Sequence, residues 1–407
     1  MLPMNATSEP FLSEDVIRIV KSTAPVLQEH GETLTRHFYE RMFRENPEVA
    51  PLFNARNQHG GTQQRALAGA ICAFAANVDR LEVLGSAVEG IAQKHAGLRI
   101  LPEHYPIVGS NLLASIQEVL SLPADHEIVD AWGQAYGFLA NILIGRERSI
   151  YEEQENQDHG WSGFRKFVVG RKRVESEVIT SFFLKPADGG KVPGYKPGQY
   201  LTVRVPDGGG ETTMRNYSLS GAPQEDCFRI SVKAEQSGFV SRYLHQLPEG
   251  TEIEVGPPCG EFFLDPHVEN DKPLVLLSAG VGITPVLAML ESVVKSQPAR
   301  PVIFIHGALN GRTHAFGPAV KDLAAKHSAL TTHFRYSDPL PEDKGHDSTG
   351  FIDAALIESL IPGKDCEFYF CGPKPFMVGI YRQLLEWGVP GSQVHFEFFG
   401  PKEALVA

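Results

Sequence analysis

At 407 residues the chain is too long for one hydrophobic core and calls for about two to four domains. Its 42% hydrophobic and 21% charged residues are those of a folded chain, and a formal net charge of -12 argues against nucleic acid or an anionic membrane surface as a partner. Cys72, Cys227, Cys259, Cys366 and Cys371 are scattered, odd in number and without a C-x-x-C pair, which excludes a secreted disulfide framework and the common zinc-ribbon and iron–sulfur spacings.

The start, MLPMNATSEPFL, has neither a basic segment nor an apolar run, so no secretory signal is expected. From Glu14 to about Arg148 the pattern is helical. Pro25 precedes a face of Leu27, Gly31, Leu34, Phe38 and Met42, and Gln63, Leu67, Ala70, Phe74 and Val78 mark the next helix. Leu81, Leu84, Val88, Ile91, His95 and Leu98 follow at 3-4-3-4-3 spacing on one helix face, then Val108, Leu112, Ile116 and Val119, and finally Trp132, Tyr136, Leu139 and Leu143. His95 thus lies on an apolar stripe, where an imidazole needs a partner. It is either a core histidine hydrogen-bonded to a neighbour or an axial ligand to haem iron, since an all-helical domain of this size can enclose a flat apolar cofactor. Tyr39, one position off the Leu34/Phe38 stripe, and Gln63, on the Leu67 face, either aim donors into a pocket or point to water.

The segments HFYERMF, PEVAPLFN, QQRALAGA, IAQKHAGLRILPEHYPIVG and DAWGQAYGFLANILIGRE resemble the globin domain of the flavohaemoglobins. The resemblance implies that His95 is the proximal iron ligand, that Tyr39 and Gln63 line the distal side, and that Phe53 and Leu67 belong to the haem pocket. It also implies that Tyr105 and Glu147 hold the proximal imidazole by hydrogen bonds, making it more electron-rich and favouring oxygen activation over storage. Taken alone, Tyr105 and Glu147 read equally as surface groups. Without C-x-x-C-H the haem would be held noncovalently.

The polar, acidic stretch YEEQENQDHG, residues 151–160, reads as a linker. Beyond it FRKFVVGRKRV, VITSFFLKP, GQYLTVRVP, RNYSLS, CFRISVKA and TEIEVGPP are short alternating runs, as in a small antiparallel barrel. Arg215-Asn216-Tyr217-Ser218 resembles the R-x-Y-S signature of ferredoxin-reductase-like flavin domains. An arginine can neutralise a pyrophosphate, a tyrosine can face a flavin ring and a serine can reach its N5 edge. Tyr200, in Gly198-Gln199-Tyr200, belongs to the same expected FAD site, as does Gly238-Phe239-Val240-Ser241, where Gly238, Val240 and Ser241 mark a helix start whose free N–H groups suit phosphate.

In the last part, residues 273–290 carry no charge and approach the length of a membrane span, but Ser278, Gly280, Gly282 and Pro285 fit a strand, a turn and an amphipathic helix better. Gly280, Val281, Gly282, Ile283, Thr284 and Pro285 are expected to bind NAD(P), the glycines by letting the backbone approach a phosphate and Thr284 and Pro285 as helix cap and first turn. The third glycine of G-x-G-x-x-G is absent. The strands PVIFIHGA and CEFYF alternate with helical stretches, which implies a parallel α/β sheet. Cys371-Gly372-Pro373 resembles the nicotinamide-side loop of the same reductases, although Cys371 also reads as a small buried residue ending a strand. Phe398, Phe399, Gly400 and Pro401 correspond to the terminal flavin segment, with Phe399 as the aromatic shield, and Lys94 and Glu397 resemble positions that tune electron transfer. Arg312 either reaches a 2′-phosphate or is solvated, so NADH against NADPH stays open.

The expected architecture is an all-α globin domain (residues 11–150), a linker (151–160), an antiparallel β-barrel FAD-binding domain (161–268) and an α/β parallel-sheet NAD(P)H-binding domain (269–407). With haem b, FAD and NAD(P)H as cofactors, the resemblance implies a nitric oxide dioxygenase that converts NO and O2 to nitrate; from the cysteine pattern, the N-terminus and the broken apolar run a cytoplasmic location is expected, and with it a monomer. A hydride passes from NAD(P)H to FAD, single electrons pass to the haem, and the Tyr39 hydroxyl steadies bound O2. The competing readings are a hydroperoxide reductase holding lipid in the distal pocket, and a haem-based sensor of O2 or NO, for which a hydride supply has no use.

Overall fold

A computed structural model of the chain describes residues 12–53, 62–268 and 270–400. Two compact units meet in sequence after Tyr151.

The first unit is helical: α1 (Glu14–Ser22), α2 (Ala24–Glu45), a 3-10 turn (Pro47–Leu52), α3 (Thr62–Asn77), α4 (Gly85–Leu98), α5 (His104–Val119) and α6 (Glu127–Asn156). Ser13 caps α1, its hydroxyl accepting the Val16 N–H. Pro25 sits in the first turn of α2, where its missing N–H costs nothing. The predicted stripes meet in one core that includes Leu27, Leu34, Phe38, Met42, Phe74, Leu112, Ile116 and Trp132, each fully buried side chain worth about 1.5–3 kcal/mol. Trp132 reconciles its indole N–H with burial by donating to Thr23 at 3.2 Å. Two boundaries differ from expectation. Leu81–Leu84 is a separate 3-10 turn before α4, so the six-residue stripe is carried by two elements. The last helix runs on to Asn156, making Tyr151–Asn156 of the expected linker helical; this stretch has no Pro or Gly to stop it.

The second unit begins with an antiparallel sheet of β1 (Arg165–Val174), β2 (Ile179–Pro186), β3 (Tyr200–Pro206), β4 (Thr212–Ser218), β5 (Phe228–Lys233) and β6 (Glu252–Val255), in the order β4-β3-β6-β1-β2-β5. A bridge between Leu219, just past β4, and Ile230 of β5 closes the order into a barrel. Phe167, Phe182, Leu184, Leu201, Val203, Phe228 and Ile230 fill it. Between β5 and β6 lies α7 (Phe239–Gln246).

There follows a parallel sheet of β7 (Leu274–Ala279), β8 (Val302–Ala308), β9 (Leu330–Tyr336), β10 (Ser348–Thr349), β11 (Glu367–Cys371) and β12 (Val394–Glu397), with helices α8 (Ile283–Ser296), α9 (Gly317–Lys326), α10 (Ala354–Leu360) and α11 (Lys374–Glu386). The strand order is β10-β9-β8-β7-β11-β12. After β7 the chain builds outward on one side, then crosses to lay β11 on the other, so the switch point of the sheet lies between the carboxyl ends of β7 and β11. Helix α8 is not amphipathic as the sequence suggested: Ile283–Leu290 are all buried, as are Ser292, Val293 and Val294. No helix among the described residues is long and apolar enough to cross a membrane.

Candidate functional site

His95 stands in the last turn of α4, which ends on Arg99 in the left-handed conformation. Its Nδ1 lies 2.8 Å from Glu147 Oε1 and 3.1 Å from the Tyr105 hydroxyl, which itself donates to Glu147 Oε1 at 2.5 Å. Glu147 and Tyr105 are 1% and 7% exposed, so neither is the surface group that each could have been. Burial, and then the bond to Glu147, push the Tyr105 phenol far above its ordinary range, so its proton stays on. The carboxylate can only accept from the imidazole, which fixes the proton on Nδ1 and leaves the lone pair on Nε2. No described residue is recorded against Nε2. Alongside it on α4, Val88, Ile91 and Leu98 are only half-buried where a core stripe would be closed. No group of three or more His, Cys, Asp or Glu able to hold a metal ion occurs among the described residues. A single nitrogen donor beside an open apolar face fits a flat metallo-macrocycle better than a bare ion.

Tyr39 is 5% exposed, which removes the solvent-facing alternative. Its ring meets Phe53 edge-on at 5.7 Å and stacks on Phe43 at 5.9 Å. Phe53 and Leu67 are half-buried on the same core. Gln63 belongs to α3, but its side chain lies outside the described residues. Lys94 precedes His95 on α4 and is half-buried.

In the barrel, β3 and β4 pair in a register that sets Tyr200 opposite Ser218, Thr202 opposite Asn216 and Val203 opposite Arg215. Tyr200 is buried, which drives its phenol well above the ordinary range. Asn216 accepts from the Thr202 hydroxyl at 2.9 Å, and Arg215 curls onto its own strand, Nη1 donating to Met214 O at 2.6 Å. Tyr217 packs half-buried against the core, and Ser218 is buried. The start of α7 at Gly238 has no side-chain cap. Val240 and Ser241 face inward there, and the Ser241 hydroxyl donates to Gly238 O, holding the turn. An uncapped helix start beside an arginine-bearing strand suits a pyrophosphate.

At the switch point Gly280 takes φ +55°, and Gly282 approaches the other loop so closely that a Cβ would lie 2.2 Å from Cys371 O. Its lack of a side chain is required by protein backbone, a reason different from the phosphate approach read from the sequence. Val281 is half-buried. Helix α8 begins at Ile283, with Gly282 in the cap position; Thr284 is therefore not the cap, and its hydroxyl turns back to Val281 O at 3.0 Å. Pro285 is buried in the first turn. Across the gap, Cys371 ends β11, Gly372 follows, and Pro373 caps α11. Burial, and then the charge of Glu397, raise the Cys371 thiol well above its ordinary range, so it is an inert thiol. Glu397 also acts on Tyr200, so Tyr200, the Cys371 loop and Glu397 are gathered at one place. Phe398 packs on the core around Phe370 and Phe396, whereas Phe399 is 45% exposed. Gly400 donates its N–H to Phe398 O at 2.9 Å, and Pro401 lies outside the described residues. Arg312 is not simply solvated: it pairs with Glu342 at 3.2 Å and lies 3.9 Å from Glu177.

Two residues passed over in the sequence stand out beside these sites. Arg229 of β5 and Glu291 of α8 form a largely buried ion pair at 2.7 Å. The signal was a charge inside the apolar run CFRISVKA.

Comparison with known proteins is consistent along the whole chain. The globin family model matches residues 36–143, the oxidoreductase FAD-binding domain 166–264 and the oxidoreductase NAD-binding domain 276–382. A flavohemoprotein of Rhodopirellula baltica is 50% identical over 408 residues, covering 98% of this chain and 100% of its own, and one of Bacillus subtilis is 46% identical over 384 residues, covering 93% and 95%. Among solved structures, a flavohemoglobin from Malassezia yamatoensis with bound FAD and heme aligns over 96% of this chain and all of its own, with a TM-score of 0.83 at 26% identity. The FAD/NAD binding domain of a nitric oxide dioxygenase from Vibrio cholerae is 39% identical, covering 58% of this chain and 99% of its own, with a TM-score of 0.53. A helical haem-type domain, a flavin-type barrel and a nucleotide-type sheet follow one another in the same order as in relatives matched almost end to end, and the chain belongs to the flavohemoproteins.

Proposed function

We propose that the chain is a nitric oxide dioxygenase that turns NO and O2 into nitrate with electrons from NAD(P)H, through residues 11–150 as haem domain, 161–268 as FAD domain and 269–407 as NAD(P)H domain, joined by 151–160. What supports this reading above all is the His95–Glu147–Tyr105 arrangement, an imidazole made electron-rich by a buried carboxylate, in a chain that also carries a hydride-handling module. Haem supplies an iron that takes O2 and single electrons, and FAD supplies a carrier that takes a hydride and releases electrons singly.

The protein's own part is holding and orienting. His95 offers Nε2 to the iron while Glu147 and Tyr105 keep the proton on Nδ1. Tyr39, with Gln63, serves the distal side, its hydroxyl a donor where negative charge develops on oxygen. Phe53 and Leu67 exclude water. Tyr200 and Arg215–Ser218 hold the flavin ring and pyrophosphate, with the Gly238–Ser241 turn adding backbone N–H groups. Residues 398–401 close over the flavin, Phe399 as the movable cover. The Gly280–Pro285 loop takes the dinucleotide phosphates, and Cys371–Pro373 flank the nicotinamide. Lys94 and Glu397 adjust the two redox groups. The working form is a cytoplasmic monomer.

The test is to mix holoenzyme and excess NADH in air-saturated buffer with NO, and to follow NO, nitrate and the visible spectrum. One nitrate per NO, with one NADH consumed for two NO, is expected, because each NO needs one electron beyond the O2 it takes up. Haem reduction without NO turnover overturns the substrate, and consumption of a copurified lipid hydroperoxide faster than NO would put the peroxidase reading in its place.

A further inference from the structure

Helix α8 starts at the nucleotide loop and docks, two turns on, against the segments that carry the flavin motif. Glu291 of α8 splits its carboxylate between two partners: Oε1 takes the guanidinium of Arg229 at 2.7 Å, and Oε2 accepts the backbone N–H of Ala222 at 3.0 Å. Arg229 also donates through Nη2 to Ser220 O. Both ends of the ion pair therefore grip residues 220–222, the direct continuation of Arg215–Ser218. Gly221 lies so close under Arg229 that a Cβ would stand 3.1 Å from its Nε, and its carbonyl is tied to the Tyr195 hydroxyl at 2.7 Å. Two residues earlier, Met289 of α8 lies against Gly198, where a Cβ would come within 2.5 Å of the Met289 Cε. Gly198 precedes Tyr200, and the neighbouring Gln199 O accepts the Leu219 N–H at 2.8 Å. The nucleotide helix is thus registered on both flavin-bearing strands at once, by an apolar contact and by a charged fork.

The arrangement is more than packing needs. Side chains 10% and 22% exposed give up hydration to form this pair, and a buried ion pair seldom adds net stability over an apolar substitute. Its advantage is direction: Glu291 accepts through both carboxylate oxygens while Arg229 Nη2 donates to Glu291 Oε1 and to Ser220 O, and this set of bonds admits one relative placement of α8 and the Ser220–Ala222 segment. Hydride transfer is the step that needs such placement. The hydride leaves the reduced nicotinamide with its electron pair, oxidising it, and bonds to the flavin, reducing it, and the rate depends steeply on the distance between the two rings.

We propose that Arg229 and Glu291 are positioning residues that set the nicotinamide against the flavin. This rests on the reading of the second unit as a module passing hydride from NAD(P)H to FAD.

The test uses the full holoenzyme with wild type, Glu291→Gln and Arg229→Lys, the last as a milder second variant that keeps the charge and loses the planar guanidinium. Three quantities are read: FAD content with the thermal midpoint, the anaerobic rate of flavin bleaching by NADH at saturation, and the long-wavelength charge-transfer absorbance formed when NAD+ is added to dithionite-reduced enzyme. The expected result is retained FAD, bleaching slowed on the order of tenfold to a hundredfold, and a weakened charge-transfer band, with little change in the NADH concentration giving half-maximal rate. Unchanged bleaching and band in both variants overturn the proposal. So does loss of FAD or of thermal stability with an unchanged rate per bound flavin, which would make the pair purely structural. Failure of NADH to bleach the flavin of the wild type removes the hydride reading itself, an outcome separate from the other two.

Discussion

Glu147 Oε1 lies 2.8 Å from His95 Nδ1 and 2.5 Å from the Tyr105 hydroxyl, so one carboxylate oxygen serves two groups brought from two other helices. With only 1% of Glu147 exposed, water cannot replace either bond. Glu147→Gln keeps the volume but offers a neutral acceptor, and a weaker pull on the Nδ1 proton makes Nε2 a poorer donor. Haem affinity or turnover should fall about 10- to 100-fold, and the iron–histidine stretch in the resonance Raman spectrum of the ferrous enzyme should move to lower frequency. An unmoved stretch would mean that the carboxylate does not act through the imidazole.

Tyr39→Phe removes a hydroxyl while leaving the edge-on contact with Phe53 and the stack on Phe43 in place. Loss of one net hydrogen bond, about 0.5–1.5 kcal/mol, corresponds to O2 dissociating up to about tenfold faster. Flash photolysis of the oxygen complex reads this directly, with FAD content as the control. An unchanged dissociation rate would place the hydroxyl away from oxygen.

What could be read from the chain was what periodicity and local chemistry encode. The stripes around Phe38, Phe74, Ile116 and Trp132 converge because each helix buries one face, and five of the six barrel strands fall within alternating runs, while β4 starts at Thr212, three residues before its run RNYSLS. Strand β9, LTTHFRY, was passed over because its polar residues break the apolar run, and burial of Leu330, Phe334 and Tyr336 by neighbouring elements is a tertiary fact. The amphipathic reading of α8 failed for the same reason, since sheet and barrel together cover more than one of its faces. Partnerships across long separations, such as Arg229 with Glu291, leave no trace in local pattern.

Gly282 shows the same dependence on tertiary neighbours, because the space a Cβ would need is taken by the Cys371 carbonyl. Gly282→Ala would put a methyl carbon 2.2 Å from that oxygen, and neither backbone segment can yield without moving its strand end. Overpacking of this kind costs about 1–3 kcal/mol. Denaturant unfolding should show that loss, and NADH titration should show weaker binding if the Gly280–Pro285 and Cys371–Pro373 segments hold the nucleotide as proposed, because the two shift together. Unaltered NADH affinity would mean that the two loops do not act as one site.

His306 and His314 give the parallel-sheet part a dependence on acidity. Their ring centroids lie 5.2 Å apart with the planes tilted by 35°, His306 bonded to Ser278 and His314 to the Tyr336 hydroxyl. Burial lowers His306 well below the ordinary value of 6.5, with His314 opposing its charge, and burial lowers His314 to about 4, with Lys321 adding to the effect and Asp347 resisting it. Both are therefore neutral in the folded chain and protonate more readily when it unfolds. Below about pH 6.5 the unfolded state binds the extra protons, so stability falls as pH drops, and the His314 contribution levels off near pH 4 once the folded form takes up its proton as well. Thermal unfolding followed by flavin fluorescence should show the midpoint declining from pH 6.5 toward 4, and His314→Gln should lessen the slope over that window. An equal slope in the variant would assign the acid sensitivity to other groups.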